Sequence, residues 1–199
     1  GSPQVIQGYL DEAVDKARKN IEVFRPFIDQ GLPIITCCTS CGLMLKMEIQ
    51  ELMDMEHMEQ LAAHTYDASE YLLELHGQGK LDTEFAPVAG RYIYHTPCHL
   101  RAQGIGKPSL ELLSMIPGFQ IEDADAGCCG QSGTYGFEVA KHDIAMAVAE
   151  PVFKRIKEYQ PDYIVSDCSG CRLQTQSGNR VPGAAPVDVA AASLRRIMA

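Results

Sequence analysis

Eight cysteines dominate the chemistry open to this 199-residue chain: Cys37, Cys38, Cys41, Cys98, Cys128, Cys129, Cys168 and Cys171. Seven fall in three tight groups, CCTSC, CC and CSGC. No signal peptide opens the sequence as read. In that setting clustered thiols point to metal binding or redox chemistry more than to disulfide cross-links.

The later five form a set of their own. Cys98 is followed by 29 residues, then Cys128-Cys129, then 38 residues, then Cys168-x-x-Cys171. A zinc ion takes four thiolates in a tetrahedron and leaves one of the five over. An iron–sulfur cluster with more than four ligand positions uses them all. Adjacent cysteines can bind neighbouring irons if the backbone turns sharply, which Gly127 and Gly130 allow. A disulfide closing a strained ring between the two neighbours is the competing reading. His95 and His99 bracket Cys98, and either imidazole can tune a cluster by bonding to its sulfur, or simply close a strand end. Thr134 and Tyr135 offer hydroxyls just past the Cys-Cys turn, and Asp167 reads as a cap for the turn before Cys168.

Certain elements must deliver these thiols. Residues 9–29 place Leu10, Val14, Ala17, Ile21, Phe24 and Phe27 at helical spacing. GLPIITCC then reads as a short buried strand ending at cysteines. The plan returns: VAKHDIAMAVAEPVFKRIKEY is a helix and QPDYIVSDCSGC a strand running into its own C-x-x-C. Between them RYIYHTPCHL is a strand ending at Cys98, KPSLELLSMI a helix with Pro108 in its first turn, and PGFQIEDA a strand. The tail from Pro186 suits a strand start followed by a helix of small residues. Met44, Met47, Met53, Met55 and Met58 read as helix packing. Strands alternating with helices predict an α/β fold, a mainly parallel sheet flanked by helices. Such folds gather ligands at the carboxyl edge of the strands, where all three cysteine-bearing strands end.

At an offset of 130, IITCCTSCGL aligns with IVSDCSGCRL, with four identical positions that include Cys38 on Cys168 and Cys41 on Cys171. This predicts two pseudo-repeated half-domains, residues 3–85 and 86–199. The first keeps only Cys38 and Cys41, an incomplete metal site, plus Cys37 where the second has Asp167. Gly1-Ser2 reads as a cloning remnant and the chain as a piece of a longer protein, starting just after the first unit's own cysteine pair.

Composition narrows the partners. The formal charge is −9, against a nucleic-acid surface, and hydrophobic residues make up 46% of the chain. No run approaches a membrane span. GIGKPS lacks the first glycine of a phosphate loop, and neither C-x-x-C is followed by the histidine of covalent haem.

HTPCHLRAQ, CCGQSGTYGF and SDCSGC resemble the cysteine-rich CCG domain. That family includes iron–sulfur subunits of heterodisulfide reductase, of glycolate oxidase and of anaerobic glycerol-3-phosphate dehydrogenase. YHTPCH and CCGQSGTYGF are most similar to the last of these. The resemblance implies one cluster, of [4Fe–4S] type, ligated by Cys98, Cys128, Cys129, Cys168 and Cys171. It implies an electron-transfer module that takes electrons from a flavin dehydrogenase partner oxidising glycerol 3-phosphate and passes them toward membrane quinone. The expected place is the cytoplasm, peripherally on the cytoplasmic face of the inner membrane. Thiol/disulfide chemistry at the cluster, as in heterodisulfide reductase, and a structural four-thiolate zinc site are the alternatives.

Overall fold

All the strand pairs in the computed structural model, which describes residues 1–52 and 57–197, are parallel. α1 (Ser2–Ile6) leads into α2 (Leu10–Ile28), β1 (Ile34–Thr36) and α3 (Thr39–Leu43). That helix continues through a wider-wound stretch, Met44–Glu48, into α4 (Ile49–Leu52); α5 (Met58–Ala63), β2 (Thr65–Asp67) and α6 (Ala68–Gly77) follow. β1 and β2 make a two-stranded sheet, with Ile34 opposite Thr65 and Thr36 opposite Asp67. The chain then forms β3 (Arg91–Tyr94), α7 (Cys98–Ala102), α8 (Pro108–Ser114) and β4 (Gln120–Asp123). Two 3-10 turns, Tyr135–Phe137 and Val139–Lys141, precede α9 (His142–Tyr159). β5 (Tyr163–Val165), α10 (Ser169–Asn179), β6 (Gly183–Ala184) and α11 (Pro186–Ile197) complete the chain. The second sheet runs β4-β3-β5-β6. The fold is α/β, with parallel sheets flanked by helices, as the alternation of patterns predicts.

The second sheet is buried on both faces, so its central strands read as continuous apolar runs. Side chains alternate along β3. Tyr92 and Tyr94 pack with Leu112, Leu113 and Ile116 on one face, and Ile93 packs with Val152, Ile156 and Ile164 on the other. A third cluster joins Ala17, Ile21 and Ile28 of α2 to Met44, Leu45, Ile49, Met58 and Leu61. Met44 and Met58 therefore pack as expected; Met47 is exposed, and Met53 and Met55 lie outside the described residues.

Four local expectations are corrected. The buried face of α2 runs through Ala13, Ala17, Ile21 and Ile28, while Leu10 and Phe27 are exposed. β1 is an edge of a two-stranded sheet, so Ile35 is exposed rather than buried. β3 ends at Tyr94, and Cys98 opens helix α7 instead of closing the strand. Pro186 is the first residue of a helix, and the preceding strand is Gly183–Ala184. Proline fits there because a helix's first N–H has no partner to lose.

A polar seam joins the helices behind β2 to the second sheet. Asp67 caps α6, accepting from the Ser69 N–H at 2.9 Å, while Glu70 reaches back to the Asp67 N–H at 2.9 Å. Asp167 does not cap its own turn. Its carboxylate accepts from the Tyr94 hydroxyl at 2.5 Å and is bonded by Ser109, whose hydroxyl also meets Ser69 Oγ at 2.8 Å.

Candidate metal centre

Three helices begin at a thiol, and that is how the strand ends present them. Cys38 and Cys168 stand in extended conformation as N-caps of α3 and α10, and Cys98 is the first residue of α7. Cys41 and Cys171 follow one turn later, on the same face as the cap, because three residues make nearly one helical turn. Free N–H groups at these helix starts favour thiolate over thiol. They contribute to a Cys38 thiol drawn down to about 5 and a Cys168 thiol drawn down to about 6. The larger cause in each is a hydrogen bond from the second cysteine of its own C-x-x-C.

Cys128 and Cys129 arrive on a loop rather than on a helix. Gly127 and Gly130 flank them at φ values of 91° and 80°. At Gly130 the constraint is absolute, since a Cβ would overlap the Ala145 carbonyl oxygen of α9. The loop thus turns back under α9, the Gly130 N–H meets Cys128 Sγ at 3.3 Å, and Cys129 is driven inward. Cys129 is buried and Cys128 exposed.

The five thiols converge. Cys98, Cys128, Cys129, Cys168 and Cys171 line one cavity of about 220 Å³, closed by Gln131, Phe137 and Leu173. Cys129 Sγ and Cys171 Sγ are 3.1 Å apart. Negative charge collects at Cys129, whose thiol is pushed far down by hydrogen bonds from Cys128 and Cys171. Those two are pushed up for the same reason, and Cys98 is raised by burial and by the Cys129 charge. Cys129 and Cys168 are thus lowered while Cys98, Cys128 and Cys171 are raised, because each further deprotonation among close sulfurs meets a like charge.

Of the two histidines, His95 is 2% exposed and its ring lies within 4.8 Å of both Cys129 Sγ and Cys171 Sγ. His99 lines the five-thiol cavity, its Nδ1 2.6 Å from Ser40 Oγ on α3. Neither Thr134 nor Tyr135 lines the cavity; Thr134 accepts from the Gln7 amide, and Lys141 sits over the Tyr135 ring.

The earlier cysteines divide. Cys38 and Cys41 line a separate cavity of about 520 Å³ with Phe24, Ile34, Met44 and Leu45. Cys38 also borders the five-thiol cavity, a position spacing along the chain could not reveal. It reaches there because α3 packs closely on α7: a Cβ on Gly42 would lie 3.2 Å from the Gln103 amide, which bonds the Thr39 carbonyl. Cys37 faces the opposite way, into a small cleft with Asp67, Asp167 and Arg172.

This donor set suits an iron–sulfur cluster. Thiolates are its ligands, and five line one cavity. The buried hydroxyls of Thr39, Thr96 and Ser166, each within two residues of Cys38, Cys98 or Cys168, have no hydrogen-bond partner among protein atoms.

Residues 92–176 match the family model of the cysteine-rich domain CCG. Lactate utilization protein A of Geobacillus kaustophilus is 30% identical over 87% of this chain and 72% of its own length. The chain belongs to the cysteine-rich CCG domain family. A subunit of the anaerobic glycerol-3-phosphate dehydrogenase of Escherichia coli is 31% identical over 98% of this chain and 49% of its own length. An uncharacterized iron–sulfur protein of Methanocaldococcus jannaschii is 33% identical over 86% of this chain and 32% of its own. The chain spans about half or less of these two relatives.

Proposed function

We propose that the chain is an iron–sulfur electron-transfer module with two half-domains, 3–85 and 86–199, the second holding a [4Fe–4S] cluster through Cys98, Cys128, Cys129, Cys168 and Cys171. The observation that carries this reading is the convergence of those five thiols on one cavity from two separate strand ends and a loop. When bound, such a cluster accepts and releases one electron. The protein's part is to hold five thiolates at fixed positions, exclude water behind Cys129 and Cys171, and donate hydrogen bonds to sulfur. Cys38 and Cys41 are ligands of the first half-domain's site.

The proposed setting is a flavin dehydrogenase partner oxidising glycerol 3-phosphate, with electrons passed toward membrane quinone. The likeness to a glycerol-3-phosphate dehydrogenase subunit supports it. Among the described residues no helix is long and apolar enough to cross a membrane. A peripheral position on the cytoplasmic face of the inner membrane is in keeping with that.

A single zinc ion is the second reading, and one observation favours it. Among the described residues His95, Cys129 and Cys171 form a group of three donors whose ligand atoms lie within 4.8 Å of one another, and imidazole and thiolates are zinc ligands. Anaerobic reconstitution with iron and sulfide, followed by counts of iron, sulfide and zinc per chain, separates the two. Near-stoichiometric iron and sulfide, lost in Cys129→Ser, is the expected result; one zinc without sulfide would overturn the cluster.

A further inference from the structure

β3 has a direction built into its alternation, and His95 continues it. The His95 N–H bonds the Val165 carbonyl at 2.8 Å, so the residue still belongs to the parallel pairing with β5. Tyr92 and Tyr94 point to the α8 face, Tyr94 reaching Asp167. Ile93 points to the α9 face. His95 shares the parity of Ile93, and it too turns to that side, where the loop under α9 holds Cys129. A ring nitrogen of His95 lies within 4.8 Å of both Cys129 Sγ and Cys171 Sγ.

A buried imidazole this close to a ligand sulfur has a ring N–H to give it. We propose that His95 is a positioning residue that donates its ring N–H to Cys129 Sγ, fixing that thiolate and raising the reduction potential of the cluster it ligates. The proposal rests on the cluster reading above. His99, the other histidine beside Cys98, also lines the cavity, with its Nδ1 on Ser40 Oγ, and is not in the donor group that joins His95 to Cys129 and Cys171. The sequence neighbour of His95 in the motif, Cys98, is not its partner; the partner lies on another crossover.

The physical reason is electrostatic. An N–H aimed at a ligand sulfur stabilises the more negative, reduced state over the oxidised one. The site is 2–4% exposed at His95, Cys129 and Cys171, so water cannot replace the bond when it is removed. Glutamine can: its amide carries N–H groups on a side chain of similar reach.

The full 199-residue chain, reconstituted with iron and sulfide after labelling with 15N-histidine, tests this. Iron and sulfide are counted first, so absence of a cluster is recognised as failure of the cluster reading itself. Pulsed electron paramagnetic resonance of the paramagnetic state should show the weak 15N coupling of a nitrogen hydrogen-bonded to a ligand sulfur. That coupling should vanish in His95→Gln while the potential stays near the wild-type value. In His95→Leu the reduction equilibrium should shift at least about tenfold toward the oxidised state, about 59 mV for one electron. The labelled wild-type spectrum also decides the matter if His95→Leu assembles no cluster. No 15N coupling, or the strong coupling of a nitrogen bound directly to iron, would overturn the proposal. So would a fully loaded His95→Leu chain with an unchanged potential.

Discussion

Cys129 Sγ lies 3.1 Å from Cys171 Sγ, although 42 positions of sequence separate them. One comes from a glycine-flanked loop and the other from the first turn of a helix, so their contact defines the floor of the cavity. Cys171→Ser is expected to abolish iron and sulfide retention. Cys37→Ser, in the cleft on the other side of β1, should leave both counts unchanged. Parallel metal and sulfide assays on the two reconstituted variants check the contrast, and equal losses would put Cys37 in the site.

Gly130 holds the loop against α9. An alanine there meets both a positive φ and the Ala145 carbonyl oxygen. Gly130→Ala should cost at least about 2 kcal/mol of stability, since strain and overpacking add. Gly127→Ala, at a similar φ of 91° but with no atom within 4 Å of the added Cβ, should cost less. Denaturant unfolding of the two metal-free variants measures the difference.

The thiols of the metal-free chain should not react in order of exposure. Cys98 and Cys128 are exposed yet raised in pKa, whereas half-buried Cys38 is a thiolate above about 5. Because the thiolate is the nucleophile, brief iodoacetamide treatment at pH 7 should label Cys38 ahead of both. Peptide mass spectrometry reads the order; earlier labelling of Cys98 or Cys128 would contradict it.

Asp67 gives the seam a pH dependence. Burial, with the Asp167 charge beside it, lifts its carboxyl to about 6 from the 3.8 of a free side chain. Between those values the folded state holds a proton that the unfolded state has lost. Stability from this group is therefore greatest near pH 4, falls as pH rises to about 6, and is flat above, by at most about 3 kcal/mol. Asp67→Asn keeps an acceptor for the Ser69 N–H and removes the proton. Its unfolding free energy between pH 4 and 6 should be flatter than that of the wild type, and an identical slope would remove Asp67 as the cause.

The sequence alone determined a good deal. Hydrophobic runs of strand length, alternating with helical spacing, specify parallel α/β sheets because each pattern can bury its apolar face in only one way. The five-cysteine spacing and the glycines around Cys128-Cys129 marked the site, since a strand ending in C-x-x-C puts thiols at a carboxyl edge whatever else surrounds it. Local features that depend on a neighbour were not legible. The exposed side of Ile35 follows from β1 having one strand beside it, and the helical start at Cys98 from where β3 stops pairing. Asp167 bonds to Tyr94 and Ser109 instead of capping, because residues 73 and 58 positions away lie closer than its own turn. Tertiary structure also set His95 beside Cys129 and Cys171 and His99 at the cavity wall, and carried Cys38 to the edge of the second cavity. Spacing fixes which residues share a helix turn or a strand face, over a few ångströms of local geometry. Which crossover packs against which is set by burial of the whole core, and only that brings Cys129, Cys171 and His95 within reach of one another.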